Sequence, residues 1–267
     1  MKIALAQLNS NNHIDHNLRL IMQLVESAVG ESPAIIFFPE NSLFFRLSST
    51  AQVEALKIDG EVFNKLSALA TQTGIALHLT TAIEDQGKIY NASVLIRPKE
   101  KPVILYRKIH LFDIALKDQK PIKESVCFAR GSDSNIFEFD GFSFGSSICY
   151  DIRFSELYLR YAKTPVDVIL IPSAFLVKTG EAHWQVLIRA RAIESQCYVL
   201  APAQSGRHTG QDVNQFRETY GNSLAVDPWG KIIAQRESGT GLVYVSLDKN
   251  EISAVRQQIP MNSHRRI

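Results

Sequence analysis

The stretch Phe142-Ser143-Phe144-Gly145-Ser146-Ser147-Ile148-Cys149-Tyr150-Asp151-Ile152-Arg153 decides how this chain of 267 residues is read. It is an apolar run that ends on a cysteine and turns polar at once. Asp140-Gly141 before it is a strong hairpin signal, so strands are predicted over 135–139 and 142–149. After it, Ser155 as N-cap and Glu156 in the first turn predict a helix over 155–162. Strand, loop and helix in that order put Cys149 at the carboxyl end of a strand, where open α/β sheets build their sites.

The same alternation extends outward in both directions. Towards the N-terminus, residues 2–8 read as a buried strand. Helical spacing follows through Leu18, Ile21, Val25 and Ala28, ending at Gly30. A short apolar run over 34–38 stops at Pro39, and Val62, Phe63, Leu66, Leu69 and Ala70 mark a helix closed by Gly74. Strands are then expected over 75–83, 91–96 and 103–107, the last two joined by a turn at 98–102. Residues 113–134 lack periodicity, and a loop of that length in a compact domain is usually functional. Towards the C-terminus the pattern predicts a strand over 166–171, a helix over 181–195 and a strand over 198–203. Two last strands, 223–226 and 242–247, bracket a turn at Asp227-Pro228-Trp229-Gly230. Strands in hairpins among helices predict mixed sheets rather than one parallel sheet. No internal repeat or linker interrupts the chain, and residues 1–267 are expected to form one domain.

Composition narrows the classes of function. The chain is 45% hydrophobic, enough for a sizeable core. Twenty-nine basic against 27 acidic residues give a net charge of +2, not the clustered positive field that nucleic acid requires. No run approaches the 18 or so apolar residues of a membrane span, and the apolar start over 1–8 is too short for a signal peptide. Neither nucleic acid nor a membrane is therefore expected as a partner. Three cysteines, an odd number in a chain that needs no staples, predict reduced thiols in a cytoplasmic setting.

A free cysteine is most often buried and inert. Two charged residues at other strand ends shift that balance for Cys149. Glu40 follows Ile35-Ile36-Phe37-Phe38-Pro39, and Lys108 follows the strand over 103–107. A thiol, a base and a cation are what acyl transfer from nitrogen needs. Gly141-Phe142-Ser143-Phe144-Gly145 matches the nucleophile-elbow pattern of serine hydrolases, but it opens a strand where an elbow must open a helix, so it is set aside. The seven histidines form no metal-binding spacing, and no metal or organic cofactor is expected.

Phe38-Pro39-Glu40-Asn41, the run from Tyr106 to Asp113 and the run from Ile148 to Phe154 together resemble the three signature segments of the nitrilase superfamily. They occur in that family's order, and the likeness extends from the first strand to the C-terminus. The resemblance implies a four-layer α-β-β-α sandwich with two mixed β-sheets, assembled as a homodimer or a larger homo-oligomer. It implies a catalytic set of Glu40, Lys108 and Cys149, with Glu124 as a second glutamate that orients Lys108 or the attacking water. Cys149-Tyr150-Asp151 differs from the Cys-Trp-Glu of true nitrilases, which favours a small-molecule amide as substrate. Pro172-Ser173-Ala174-Phe175, Thr179-Gly180, His183-Trp184, the run from Arg189 to Val199 and that from Ala203 to His208 are similar to the deaminated glutathione amidases. Omega-amidases and N-carbamoyl amide hydrolases of the same family are the alternatives, as is a non-catalytic, partner-binding scaffold. Asn41-Ser42-Leu43 departs from the family's usual continuation.

The mechanism that the resemblance implies has Glu40 as general base and Lys108 favouring the thiolate and then stabilising the oxyanion. The N–H of Tyr150 serves as a second oxyanion donor. Ammonia leaves, a thioester remains on Cys149, and water releases the acid. The carboxylates of an anionic amide need cationic partners, and Arg153, Arg207 and His208 are the candidates. Phe44-Phe45 is a candidate wall of the pocket.

Overall fold

The central strands are apolar on both faces because each face packs against a different layer. The computed structural model describes residues 1–48, 52–115, 121–210 and 214–266. The first half runs β1 (Lys2–Gln7), α1 (Ile14–Ser27), β2 (Ile35–Phe37), α2 (Glu61–Thr73), β3 (Ala76–Asp85), β4 (Lys88–Ile96) and β5 (Val103–Arg107). A short ribbon follows, β6 (Asp113–Ile114) with β7 (Ile122–Lys123). The second half runs β8 (Ile136–Phe139), β9 (Phe142–Ser146), α3 (Ser155–Lys163), β10 (Val168–Leu170), α4 (Val177–Ser195) and β11 (Tyr198–Ala201). Then come β12 (Ser205–Thr209), β13 (Phe216–Tyr220), β14 (Ser223–Val226), β15 (Ile232–Arg236), β16 (Gly241–Ser246), α5 (Lys249–Gln258) and α6 (Met261–His264).

Two six-stranded mixed sheets result, ordered β16-β1-β2-β3-β4-β5 and β15-β14-β11-β10-β9-β8. Side chains alternate along each strand, so one strand serves two layers. Ala4, Ala6 and Ile36 face α1 and α2 together with Leu18, Ile21, Phe63 and Leu66. Ile3, Leu5, Ile35 and Phe37 face the other sheet, where they meet Phe144, Val168, Leu170 and Leu200. Ile169, Val199 and Ala201 face outward onto Leu157, Trp184 and Ile188 of α3 and α4. The layers are therefore helices, sheet, sheet, helices, as the resemblance implies.

The two sheets also share a topology that no sequence repeat reveals. β1-α1-β2-α2-β3-β4-β5 and β9-α3-β10-α4-β11-β14-β15 have the same pairing pattern, with three parallel strands followed by two antiparallel ones. The hairpin β12–β13 is an insertion in the second copy. The carboxyl ends of the parallel strands in both copies meet at one place. There Leu8, after β1, bridges Gln204, after β11, and Ser205 N–H donates to the Leu8 carbonyl at 2.8 Å.

Several local expectations need correcting. Ser155 is not an N-cap: the helix begins on it, and Phe154 occupies the cap position without a side-chain bond. The strand over 142–149 ends at Ser146, because Cys149 already belongs to a 3-10 turn. The loop over 113–134, of which 116–120 lie outside the described residues, contains β6, β7 and a 3-10 turn at Glu124–Val126. The turn at 227–230 joins β14 to β15, a strand the sequence pattern does not announce, and β12, β13 and α5 were likewise unpredicted.

Candidate active site

Glu40 is set by a break in a strand. Pro39 has no N–H to continue the ladder, and Asn41 takes a left-handed φ of 59°, a conformation Asn tolerates better than most residues. The Ser42 hydroxyl then closes the turn on the Pro39 carbonyl at 2.5 Å. The departure at Asn41-Ser42 is thus this chain's way of making the bend. Gln204 fixes the backbone there, its Nε2 donating to the Glu40 carbonyl at 3.0 Å and to Ser10 Oγ at 2.9 Å.

Lys108 leaves β5 with its N–H still on the Asn91 carbonyl of β4, at 2.9 Å. Gly131 lies flat against this strand end: a side chain there would meet the Arg107 carbonyl oxygen at 2.0 Å. Lys108 Nζ donates to Glu40 Oε1 at 2.7 Å and to both oxygens of Glu124, at 2.9 and 3.1 Å. The Asn91 amide bridges the same two carboxylates, at 2.8 Å to Glu40 and 3.0 Å to Glu124. Phe112 N–H completes the hold on Glu124 at 2.6 Å. Both donors to Glu40 converge on Oε1, and the carboxyl group has a third partner.

That partner is on the other sheet. Cys149 has a φ of 46°, a sharp left-handed bend for a residue with a Cβ. The bend turns the chain from β9 into the 3-10 turn and presents the thiol to Glu40, whose carboxylate it hydrogen-bonds, while the Ala174 N–H reaches the sulfur. Asp151, fully buried, ties this turn to the lysine strand. It accepts from Tyr106 Oη (2.8 Å), Ile148 N–H (2.9 Å) and His110 N–H (3.0 Å), and pairs with His110 Nδ1 (2.7 Å). This explains physically why the Tyr106-to-Asp113 and Ile148-to-Phe154 strings belong together. Asp151, Asn91 and Gln204 were not singled out from the sequence, because a buried acid or amide looks like any polar loop residue until its partners are known.

The charges settle in a definite order. Burial and the Glu40 carboxylate push the Cys149 thiol well above its usual range, against the pull of Lys108. Burial works against the Lys108 ammonium, but Glu124, Glu40 and Cys149 outweigh it and hold its pKa well above the ordinary value. Burial likewise opposes Glu124, and the Lys108 charge with the Asn91 and Phe112 hydrogen bonds keeps its carboxyl below the ordinary value. The resting site therefore holds Cys149 as thiol, Glu124 as carboxylate and Lys108 as ammonium. Lys108 pulls towards the thiolate, but burial and Glu40 outweigh it, so the thiol needs a proton acceptor, and Glu40 lies beside it.

Glu40, Lys108, Glu124, Cys149, Tyr150 and Arg153 line one pocket, with Phe44, Phe112 and Phe175 among its apolar walls. Three predicted residues, Phe45, Arg207 and His208, do not. His208 is buried beneath, its ring nitrogens bound to the Ser10 carbonyl (2.7 Å) and Thr219 Oγ1 (2.6 Å) and its face stacked on Phe45 at 4.1 Å. Burial lowers its pKa to about 4, so it is a neutral packing residue. Arg207 points to solvent, over the Phe216 ring at 3.9 Å. Arg153 lies over Tyr150 and Phe175 and meets His183 Nδ1 at 3.2 Å. Two cations absent from the sequence reading, Arg46 and Arg217, line the pocket instead. Ser143 bonds the Asp167 N–H at 3.0 Å, a structural contact. Among the described residues no group of three or more His, Cys, Asp or Glu is arranged to hold a metal ion.

Comparison with known proteins places this geometry in context. Residues 2–257 match the family model described as Carbon-nitrogen hydrolase. A deaminated glutathione amidase of Rattus norvegicus is 37% identical over 274 residues, spanning 99% of this chain and 82% of that protein. The NitFhit protein of C. elegans superposes with a TM-score of 0.88 at 33% identity over 99% of this chain, which spans 65% of that longer protein. Saccharomyces cerevisiae Nit3, a member of branch 10 of the nitrilase superfamily, has a TM-score of 0.84 at 28% identity, covering 100% of this chain and 97% of its own.

Proposed function

Since this chain belongs to the carbon–nitrogen hydrolase family and is an amide-hydrolysing enzyme, we propose that Cys149 is its nucleophile and that deaminated glutathione, or a small amide of like charge, is its substrate. The observation that carries the reading is the left-handed Cys149 turn, which sets a protonated thiol on the Glu40 carboxylate. Glu40 takes the thiol proton as sulfur attacks the amide carbon. The oxyanion forms against the Lys108 ammonium and the Tyr150 N–H. Glu40 returns the proton to the departing nitrogen, leaving an acyl thioester on Cys149. Water, deprotonated by Glu40 and oriented by Glu124, then releases the acid. Both amides of deaminated glutathione are secondary, so its leaving group is an amine; ammonia leaves only from a primary amide.

The test is a panel of deaminated glutathione, 2-oxoglutaramate and an N-carbamoyl amino acid, following amine, ammonia and carbon dioxide separately. Deaminated glutathione is expected to give the highest kcat/KM, and Cys149→Ala to release nothing while melting like the parent. Turnover by that variant would overturn the nucleophile assignment. A preference for 2-oxoglutaramate would move the reading to the omega-amidases.

We further propose that residues 1–267 act as one domain, in keeping with the family match over 2–257, and that two copies associate through the outer face of α3 and α4. Leu159, Val186, Ile193 and Trp229 are exposed there, Val186 at 68% and Trp229 at 57%, and such apolar groups gain from being covered. Light scattering should give the mass of a dimer, and a Val186→Asp, Ile193→Asp double variant that of a monomer. No described helix is long and apolar enough to cross a membrane. The free state of all three cysteines supports a cytoplasmic setting.

A further inference from the structure

The pocket's carboxylates are already spent. Glu40 and Glu124 hold Lys108 and the Asn91 amide between them. The lining nevertheless carries three more cations, Arg46, Arg153 and Arg217. Arg153 is occupied by two aromatic faces and His183. Arg46 and Arg217 are held differently, and no described carboxylate pairs with either.

Arg46 is only 9% exposed. Its Nη1 donates to Cys127 Sγ at 2.7 Å, a weak acceptor. Arg217 donates through Nη1 to the Arg46 backbone carbonyl at 3.1 Å and lies over the Phe45 ring at 5.1 Å. Each guanidinium has five N–H donors, and among the described residues these contacts use one apiece. Burial and the Arg46 charge both work against the charged form of Arg217. Two like charges are thus held close, in a half-dry cleft, by a backbone carbonyl, a ring and a thiol. An anion between them would fill the open donors and remove the repulsion. The planar fork of arginine fits a carboxylate in particular.

We propose that Arg46 and Arg217 form the anion-binding subsite of this pocket and select amides that carry a carboxylate a few bonds from the scissile carbonyl. The proposal rests on the amidase reading above and names the part of the substrate that the pocket grips.

Glutaramate and pentanamide differ only in a terminal carboxylate against a methyl, so their kcat/KM ratio measures the subsite. The wild-type ratio should be on the order of a hundred or more. Arg46→Gln and Arg217→Gln should each cut it by about ten- to a hundred-fold, the worth of a charged hydrogen bond, with Arg217→Lys recovering part. A wild-type ratio near one, or a ratio unmoved in both Gln variants, overturns the proposal. Since Arg46→Gln could disturb folding, calorimetric titration of glutarate and of neutral glutaramide into Cys149→Ala gives a second measure. Glutarate should bind at least ten-fold tighter and weaken with added salt; equal affinity overturns the proposal. Glutarate binding that depends on Arg217 in an enzyme that turns over no amide would leave the subsite standing and remove the amidase reading. Turnover of both amides at equal rates would do the reverse.

Discussion

Asn91 gives one amide group to two carboxyl groups, Glu40 and Glu124, around a single lysine, and its hydrogen bond helps the Lys108 charge keep Glu124 ionised. Asn91→Asp would replace the bridge with a third negative charge. The acid limb of the kcat/KM profile should then move to higher pH, with a loss on the order of ten- to a hundred-fold in rate. A purely structural residue would lower the rate without moving the limb. Lys108→Met is a harsher change, because it strands two buried carboxylates. Urea unfolding should report about 3–5 kcal/mol of lost stability, together with loss of turnover. Glu40, Lys108 and Cys149 were legible in the sequence because each ends an apolar strand inside a recognisable string. Asn91 and Asp151 were not, since their importance lies in partners 51 and 41 residues distant.

Strand parity decides what the hairpin β12–β13 offers the site. His208 pairs with Arg217 across the ladder, so both face inward, while Arg207 faces away. The sequence therefore led to the right hairpin but to the wrong strand of it, because β13 was not foreseen and the parity could not be set. The hairpin is positioned by α4 through Gly180, where a Cβ would come within 2.3–2.6 Å of the Tyr220 side chain. Gly180→Ala should cost about 1–3 kcal/mol by overpacking. It should also raise KM more than it lowers kcat, since it shifts Arg217 and spares Cys149; a thermal melt and a Michaelis curve check both. Helix and strand order within each half was largely legible, because the apolar periods are clear. Element ends at 146 and 155 were not, since the Cys149 bend and the uncapped Phe154 follow from tertiary contacts.

At the scale of the whole molecule, two histidines make stability depend on pH. His78 lies between the sheets, stacked on Phe137 and tilted against Phe37, and among the described residues neither ring nitrogen has a partner. Burial lowers its pKa from 6.5 to about 4, and that of His208 likewise. Above pH 6.5 both rings are neutral folded and unfolded, and neither makes stability vary with pH. As pH falls from 6.5 towards 4 the unfolded chain takes up protons that the fold refuses, so stability drops by up to about 3 kcal/mol for each histidine. Denaturation at stepped pH should show that slope, and His78→Leu should flatten its share of it. The four layers were legible through the family strings, but the twofold repeat of topology was not, because packing constrains apolar character and leaves residue identity free. That repeat bears on how the molecule could be divided. A cut between β7 and β8 would separate Glu40, Lys108 and Glu124 from Cys149, leaving each fragment chemically silent. The second fragment would still carry β16, the strand that zips onto β1. Catalysis would then signal that two pieces of protein had found each other, which makes this fold a natural frame for a split reporter.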